Sequence, residues 1–191
     1  DQDRDAAHAA WREMFTGFDA PTLVAPPDRL GIGPRGSTAY TVPATTTRAL
    51  TELARTCHTT VNVVLQAAWA QVLTGLTGDH DVAFGTTVSG RPAEITGAES
   101  MVGLFINTVP VRATITPATT TADLLRQLQD AHNDTLEHQH VTLGDIHRIT
   151  GHERLFDTLF VYENYPIDTD IVVDDGLVIT GFTSREFTHY P

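Results

Sequence analysis

The chain has 191 residues, of which 41% are hydrophobic and 19% charged, so it is long enough for one substantial core and has an ordinary globular composition. Its 12 basic and 24 acidic residues give a formal net charge of −12, which argues against nucleic acid and membrane surfaces as partners. Cys57 is the single cysteine, so an intrachain disulfide and a cysteine-based metal cage are excluded and a cytoplasmic location is expected.

The first predicted element is an amphipathic helix near the amino terminus. Ala7, Trp11 and Phe15 recur at helical spacing, and Gly17 stands where such a helix would stop. The chain enters this helix without an initiator methionine and ends directly after a strand-like run, so we expect a fragment of a longer protein. Residues 19–37 are rich in proline and glycine, which predicts an irregular surface connection.

Two more helices are predicted before the first strands. Residues 47–57 carry leucines on one side and charges on the other, and threonines 45–47 can cap this helix. Residues 60–76 are apolar on nearly all sides, which predicts a helix that is buried on most of its faces. We expect the two helices to pack as a pair.

The middle of the chain predicts two strands and another helix. Residues 81–88 and 103–115 are rich in β-branched and aromatic residues, and the polar segment 89–102 separates them as a loop. Thr120 precedes Asp123 by three positions, which is the arrangement of a capping box at the start of a helix.

The last part of the chain predicts a short helix and three strands. The helix over 142–150 ends at Gly151, and the strand over 156–166 is stopped by Pro166. Residues 171–182 predict two strands around an Asp-Gly turn. Helices interleaved with strands predict an α/β fold.

No complete active site is recognisable from motifs alone. The chain contains no Gly-x-Ser-x-Gly elbow, no phosphate-binding Gly-x₄-Gly-Lys loop and no Gly-x-Gly-x-x-Gly fingerprint. His138 and His140 stand close together, but no third and fourth ligand follow at metal-binding spacing. We therefore predict no metal site.

Three stretches of the chain, at 89–112, 136–146 and 152–166, resemble in order and spacing the late core motifs of condensation domains from nonribosomal peptide synthetases. The first stretch matches the family's Gly-Arg, Gly-x-Phe-x-Asn-Thr and Arg pattern. The matching residues are Gly90, Arg91, Gly103, Phe105, Asn107, Thr108 and Arg112.

The other two stretches match the family less completely. In the family's His-Gln-Asp-hydrophobic-Pro-Phe-Glu segment only His138 and Gln139 agree, whereas the third stretch keeps the Leu-Phe-Asp-Thr-Leu form through to Asn164 and Pro166. Residues 9–26 look like the helix that joins the family's two lobes, so the resemblance covers nearly the whole chain.

The resemblance implies a two-lobed fold like that of chloramphenicol acetyltransferase, with a central mixed sheet flanked by helices. Residues 1–191 would form a single lobe, most of the C-terminal subdomain. The family's catalytic signature, His-His-x-x-x-Asp-Gly, belongs to the N-terminal lobe, and none of the nine histidines here fits it. We therefore assign no catalytic residue and expect the chain alone to be inactive.

The activity that the resemblance implies is amide formation between a carrier-bound acyl or peptidyl thioester and a carrier-bound aminoacyl group, in antibiotic or other secondary metabolism. The expected partners are peptidyl and aminoacyl carrier proteins, the missing N-terminal lobe and neighbouring synthetase domains. Phosphopantetheine would be carried by the carriers, with no cofactor bound directly. Because this chain and carriers are both acidic, docking would use local basic spots such as Arg48, Arg55 or Arg126.

Three interpretations of function stay open at this point. The chain belongs to an amide-forming domain, to a related epimerisation, cyclisation or acyltransferase domain, or to a non-catalytic module that recruits a partner. The Gly-x-Phe-x-Asn-Thr form and the strand at 156–166 favour condensation over epimerisation.

The resemblance assigns five residues to the wall of a substrate tunnel. They are Gly90, Arg91, Gly103, Phe105 and Asn107. A glycine permits close approach of substrate or backbone, and an asparagine offers an amide donor and acceptor inside an apolar strand. The alternatives are a β-bulge at Gly103, an Asn107 amide satisfied by neighbouring backbone, and a solvated Arg91.

Overall fold

The structure is a computed structural model that describes residues 3–25, 36–89, 103, 105–164, 172–173, 177–178 and 190. Its elements in chain order are α1 (Arg4–Met14), α2 (Ala44–Thr56), α3 (Val61–Thr77), β1 (Asp81–Ser89), β2 (Ile106–Thr114), α4 (Thr121–Thr135), a 3-10 helix (Leu136–His138), α5 (Leu143–Thr150), β3 (Leu159–Phe160), β4 (Val172–Val173) and β5 (Leu177–Val178). The predicted α/β class is confirmed.

The main sheet is mixed and has the strand order β2-β1-β3. All nine residues of β1 pair with β2 in antiparallel register, from Asp81 opposite Thr114 to Ser89 opposite Ile106. The strand predicted over 156–166 is short, since only the two residues of β3 pair with β1, in parallel. The predicted hairpin is confirmed, because β4 and β5 pair antiparallel.

Two apolar cores lie against this sheet. The first, the α3 core, is formed by α2, α3, α4 and β1, with Leu73, Phe84 and Leu125 almost completely buried. The second, the α1 core, joins α1 and α5 to the segment before β3, and includes Trp11 and Ile146, which are both fully buried. Helices thus flank the central strand, as predicted.

The outer edge of β2, which faces away from β1, has few free backbone N–H donors. The Thr108 N–H donates to Asn107 Oδ1 at 2.9 Å, and the Thr114 N–H donates to Gln127 Oε1 at 2.9 Å. Pro110 lies between them and has no N–H. Proline inside a strand is tolerated at an edge, where no ladder bond is lost.

The helix ends agree with prediction at Thr120 and Gly151 but not at threonines 45–47. Thr120 and Asp123 form the capping box of α4, and α5 stops at Gly151, which has a left-handed φ of 77°. The predicted threonine cap of α2 is wrong. The helix begins at Ala44 after Pro43, and the Thr47 hydroxyl donates to the Pro43 carbonyl within the first turn.

Helix α3 is less buried than its sequence predicts. Val63, Ala67 and Leu73 are buried, but Val72 and Leu76 on the same helix are 48% and 60% exposed. Within the described residues α3 contacts α2, α4 and β1. The apolar sequence of α3 therefore overstates how many of its faces are covered in this chain.

Candidate functional site

The five predicted tunnel residues lie around the start of β2, as far as the structure describes them. Gly90 and Arg91 are outside the described residues. Gly103 lies in an exposed bend, so the predicted alternative of a β-bulge at Gly103 is wrong. A Cβ on Gly103 would lie 3.3 Å from Cε2 of Phe105. The glycine therefore leaves room for the half-buried Phe105 ring to fold back toward the backbone.

The Asn107 side chain is fully engaged with backbone groups. Its Nδ2 donates to the carbonyl oxygens of Gln139 at 2.7 Å and Val141 at 2.9 Å. Its Oδ1 accepts from the Thr108 N–H at 2.9 Å. This geometry agrees with the alternative of an amide satisfied by neighbouring backbone. Asn107 thus ties β2 to a turn that follows α4.

We call this turn, His138–Val141, the clamped turn. It is closed by the Val141 N–H, which donates to the His138 carbonyl at 3.2 Å. The same carbonyl also accepts from the indole Nε1 of Trp11 at 3.0 Å. Side chains from α1 and β2 therefore meet at one turn, which holds both residues that match the family's His-Gln pair.

A small polar cavity lies beside the clamped turn. Its volume is about 30 Å³, which is room for one water molecule. Gln66 of α3, Thr86 of β1 and Gln139 of the turn are among its lining residues. Gln66 and Thr86 are each only 6% exposed. Hydrogen-bonding groups thus enter an otherwise apolar interior at this point.

An open groove of about 870 Å³ runs between α1 and α4 above β2. Glu13, Asp130 and Asp134 line it, together with Arg112. The Arg112 guanidinium is already occupied, because Nε and Nη2 bind the two Asp81 carboxylate oxygens at 2.9 and 2.7 Å. The groove therefore presents negative charge and does not suit an anionic ligand.

The remaining Arg112 donor fastens β2 to the end of α1. Nη1 donates to the carbonyls of Met14 at 2.8 Å and Thr16 at 2.9 Å. The guanidinium also lies 5.5 Å from the centre of the Phe18 ring. This arginine of the family pattern thus has a structural role here.

Asp157 is a buried acidic residue whose role sequence reasoning missed. It is 2% exposed, and its carboxylate accepts from the Val24 N–H at 3.0 Å and the Ala25 N–H at 2.8 Å. Thr22 in the same segment accepts from the Ala83 N–H at 2.7 Å. The sequence did contain a signal for this role. Asp157 directly follows the buried pair Leu155 and Phe156, and a buried carboxylate needs hydrogen-bond partners.

The histidines do not form a metal centre in the described part of the chain. No three His, Cys, Asp or Glu side chains come together there in a way that could hold a metal ion. Nδ1 of His140 lies 3.1 Å from the Glu137 carbonyl. Burial lowers the pKa of His147, and the nearby charges of Arg154 and His152 act in the same direction.

The described helices include none long and apolar enough to cross a membrane.

Comparison with known proteins gives relatives that align with most or all of the chain. The family model of the condensation domain matches residues 1–185. The chain is 40% identical over 195 residues to chondramide synthase cmdD of Chondromyces crocatus, an alignment that covers all of this chain but only 5% of that relative. It is 32% identical over 197 residues to bacitracin synthase 3 of Bacillus licheniformis, which covers all of this chain and 3% of that relative. The chain thus spans only a small part of the relatives that it matches.

A solved structure supports the fold. The first condensation domain of the calcium-dependent antibiotic synthetase, in complex with a substrate analogue, superposes with a TM-score of 0.66 at 21% sequence identity. The match covers 88% of this chain and 38% of that chain. The match confirms the predicted chloramphenicol acetyltransferase-like architecture, with a mixed sheet flanked by helices. The chain therefore belongs to the condensation domain family of nonribosomal peptide synthetases.

Proposed function

We propose that this chain is most of the C-terminal lobe of a condensation domain that joins a carrier-bound acyl or peptidyl group to a carrier-bound aminoacyl group. The observation that carries the proposal is the family match over residues 1–185. The chain spans 38% of the solved condensation-domain chain described above, which leaves room for a second lobe. That lobe would supply the His-His-x-x-x-Asp-Gly signature, since no two histidines are adjacent here.

The proposed reaction forms one bond and breaks one. The acceptor amine attacks the donor thioester carbonyl, the new C–N bond forms, and the C–S bond breaks to release the donor carrier's thiol. The attacking amine also loses a proton, which ends on the leaving sulfur, so that the N–H bond broken is balanced by the S–H bond formed. Orientation of two tethered reactants can contribute roughly 7–11 kcal/mol to lowering such a barrier. A lobe that shapes the channel therefore contributes to catalysis without holding the base.

The channel wall is proposed to include Gly90, Arg91, Gly103, Phe105 and Asn107. Support comes from Asn107 in β2, whose amide binds the clamped turn, and from Gly103 and Phe105, which lie directly before this strand. In this wall Asn107 would hold the backbone in place, because its side-chain amide already donates to the carbonyls of Gln139 and Val141.

The proposed partners are carrier proteins that bear phosphopantetheine, together with the other lobe and neighbouring synthetase domains. Two of the three basic docking residues are paired on their own helix, Arg55 with Glu52 and Arg126 with Asp123. Arg48 makes no ion pair among the described residues. We therefore place any charge contact with an acidic carrier at Arg48 and expect it to be weak.

A single-turnover assay read by mass spectrometry tests the proposal. An acyl-loaded and an aminoacyl-loaded carrier, both cognate, are mixed with the complete domain, with this chain alone, and with a complete domain whose second signature histidine is alanine. Amide product is expected from the complete domain only. If the complete domain forms no amide while both carriers are fully loaded, the proposed function is wrong and a recruiting role gains support.

A further inference from the structure

We infer that Trp11 and Asn107 are positioning residues that together hold the clamped turn, His138–Val141, in the wall of the substrate channel. The inference rests on the proposed function and adds a pair of residues that determine the channel's shape. It starts from an unusual concentration of contacts. Three carbonyls of one four-residue turn accept side-chain donors from elements 32 to 127 residues away in the sequence.

Both donors are fixed in orientation by their own surroundings. Trp11 is fully buried in the α1 core, so its indole N–H points in one direction only. The Asn107 carboxamide cannot be reversed, because the Thr108 N–H requires an oxygen and the two turn carbonyls require the N–H donors. The turn is thus located by two rigid groups from independent elements.

The clamped turn in turn locates Gln139. Gln139 lines the polar cavity with Gln66 and Thr86, each of which carries hydrogen-bonding groups into the interior. Because the cavity has room for about one water molecule, Gln139 would reach the amide groups of a phosphopantetheine arm or an aminoacyl group in the adjoining channel through that water. A displaced turn would move Gln139 out of this wall, and a misplacement of about 1 Å can cost on the order of 100-fold in rate.

The turn also determines where α5 begins. Thr142 follows the turn directly and caps α5 by accepting from the Asp145 N–H, while the Ile146 N–H donates to the Thr142 carbonyl. Loss of the clamp should therefore loosen the amides of Val141, Asp145 and Ile146 together. These amides provide a readout that does not depend on catalysis.

Two variants of the complete domain remove the donors, and the chain offers a matched control for each. Asn107→Ala removes both carboxamide donors, and Trp11→Phe removes one N–H while keeping an aromatic ring. The control Asn133→Ala changes an asparagine on the exposed face of α4. The control Trp69→Phe removes an indole N–H that has no acceptor among the described residues.

The measurements are hydrogen exchange over residues 138–146 and single-turnover kinetics at varied carrier concentration. For Asn107→Ala we expect exchange on the order of tenfold faster in this segment and kcat lower by roughly 10- to 100-fold. KM for the carriers should change by less than about twofold, because a positioning defect acts on the reacting geometry. Trp11→Phe should show the same pattern with a smaller loss, and both controls should behave as wild type.

Three results would overturn the inference. Unchanged exchange over 138–146 in both variants would show that the two side chains do not hold the turn. Faster exchange with unchanged kcat would show that the turn does not shape the channel. A loss of kcat that equals the loss of folded protein would reduce both residues to a structural role. If the wild-type domain forms no amide, the proposed function fails, whereas the exchange data still decide whether the clamp exists.

Discussion

The two cores of this chain are held together in different ways. In the α3 core the buried groups are almost all apolar, and most side-chain hydrogen bonds near it link residues four positions apart or closer. In the α1 core, Asp157, Asn107 and Arg112 bond to groups 31 to 133 residues away. The first region depends on the volume that its side chains fill, whereas the second depends on directional bonds between distant segments.

This difference places the directional hydrogen bonds between distant segments on one side of the sheet. Apolar packing tolerates exchange of one aliphatic side chain for another of similar volume. A hydrogen bond to a specified carbonyl does not tolerate loss of its donor. The clamped turn lies on the α1 side, so the proposed channel wall borders the region with the stricter geometry.

The α3 core should respond to lost volume. Leu73→Ala empties a fully buried site and should lower the free energy of unfolding by about 2–5 kcal/mol. Leu73→Met, which nearly conserves volume, should cost less than ~1.5 kcal/mol. Leu76→Ala, at a 60% exposed site on the same helix, is the control and should stay within about 0.5 kcal/mol. Urea unfolding of the complete domain measures all three, and equal losses at Leu73 and Leu76 would contradict the assignment of this core.

The α1 core should respond to lost hydrogen bonds. Asp157→Ala leaves the Val24 and Ala25 N–H groups without an acceptor, and we expect a loss of roughly 1–3 kcal/mol. Asp157→Asn keeps one oxygen and should lose less. Limited proteolysis near residues 22–25 should accelerate in parallel with the fall in unfolding midpoint. Asp134→Ala, on the exposed surface of α4, should leave both quantities unchanged.

The contact between β1 and the segment before β3 leaves no room for a methyl group at Gly85. A Cβ there would lie 2.6 Å from Cε2 of the buried Phe156 ring, so Gly85→Ala should cost about 1–3 kcal/mol. Gly75→Ala in α3 meets nothing within 4 Å and should stabilise by about 0.5–1 kcal/mol through helix propensity. Opposite signs in thermal unfolding are the expected result, and a stabilising Gly85→Ala would refute the packing described here.

A smaller effect should appear as a dependence of stability on pH. Burial lowers the pKa of His147 in the folded protein below its value of about 6.5 in unfolded chains. The unfolded state therefore binds more protons between these two values, and stability falls as pH decreases below about 6.5. His147→Gln should flatten the decline of melting temperature between about pH 7 and 5.5. The exposed His80→Gln serves as the control, and a parallel decline in both variants would exclude His147 as a source.

Interactions between residues close in sequence were predicted more completely than those between distant segments. The Thr120–Asp123 cap and the periodic leucines act within a few residues, so their effect can be predicted from local sequence. The partner of Asn107 lies more than 30 residues away, and no local pattern identifies it, so only alternatives could be stated. Asp157 was missed for the same reason, because its acceptor role depends on where Val24 and Ala25 lie.

The order of the strands determines where further strands can join the sheet of this chain. The outer edge of β2 is occupied at Thr108 and Thr114 and lacks an N–H at Pro110, so an added strand would find few donors there. A further strand is therefore expected to join the sheet on the side of β3, and not on the side of β2. Such an edge also discourages pairing between copies of the chain through β2.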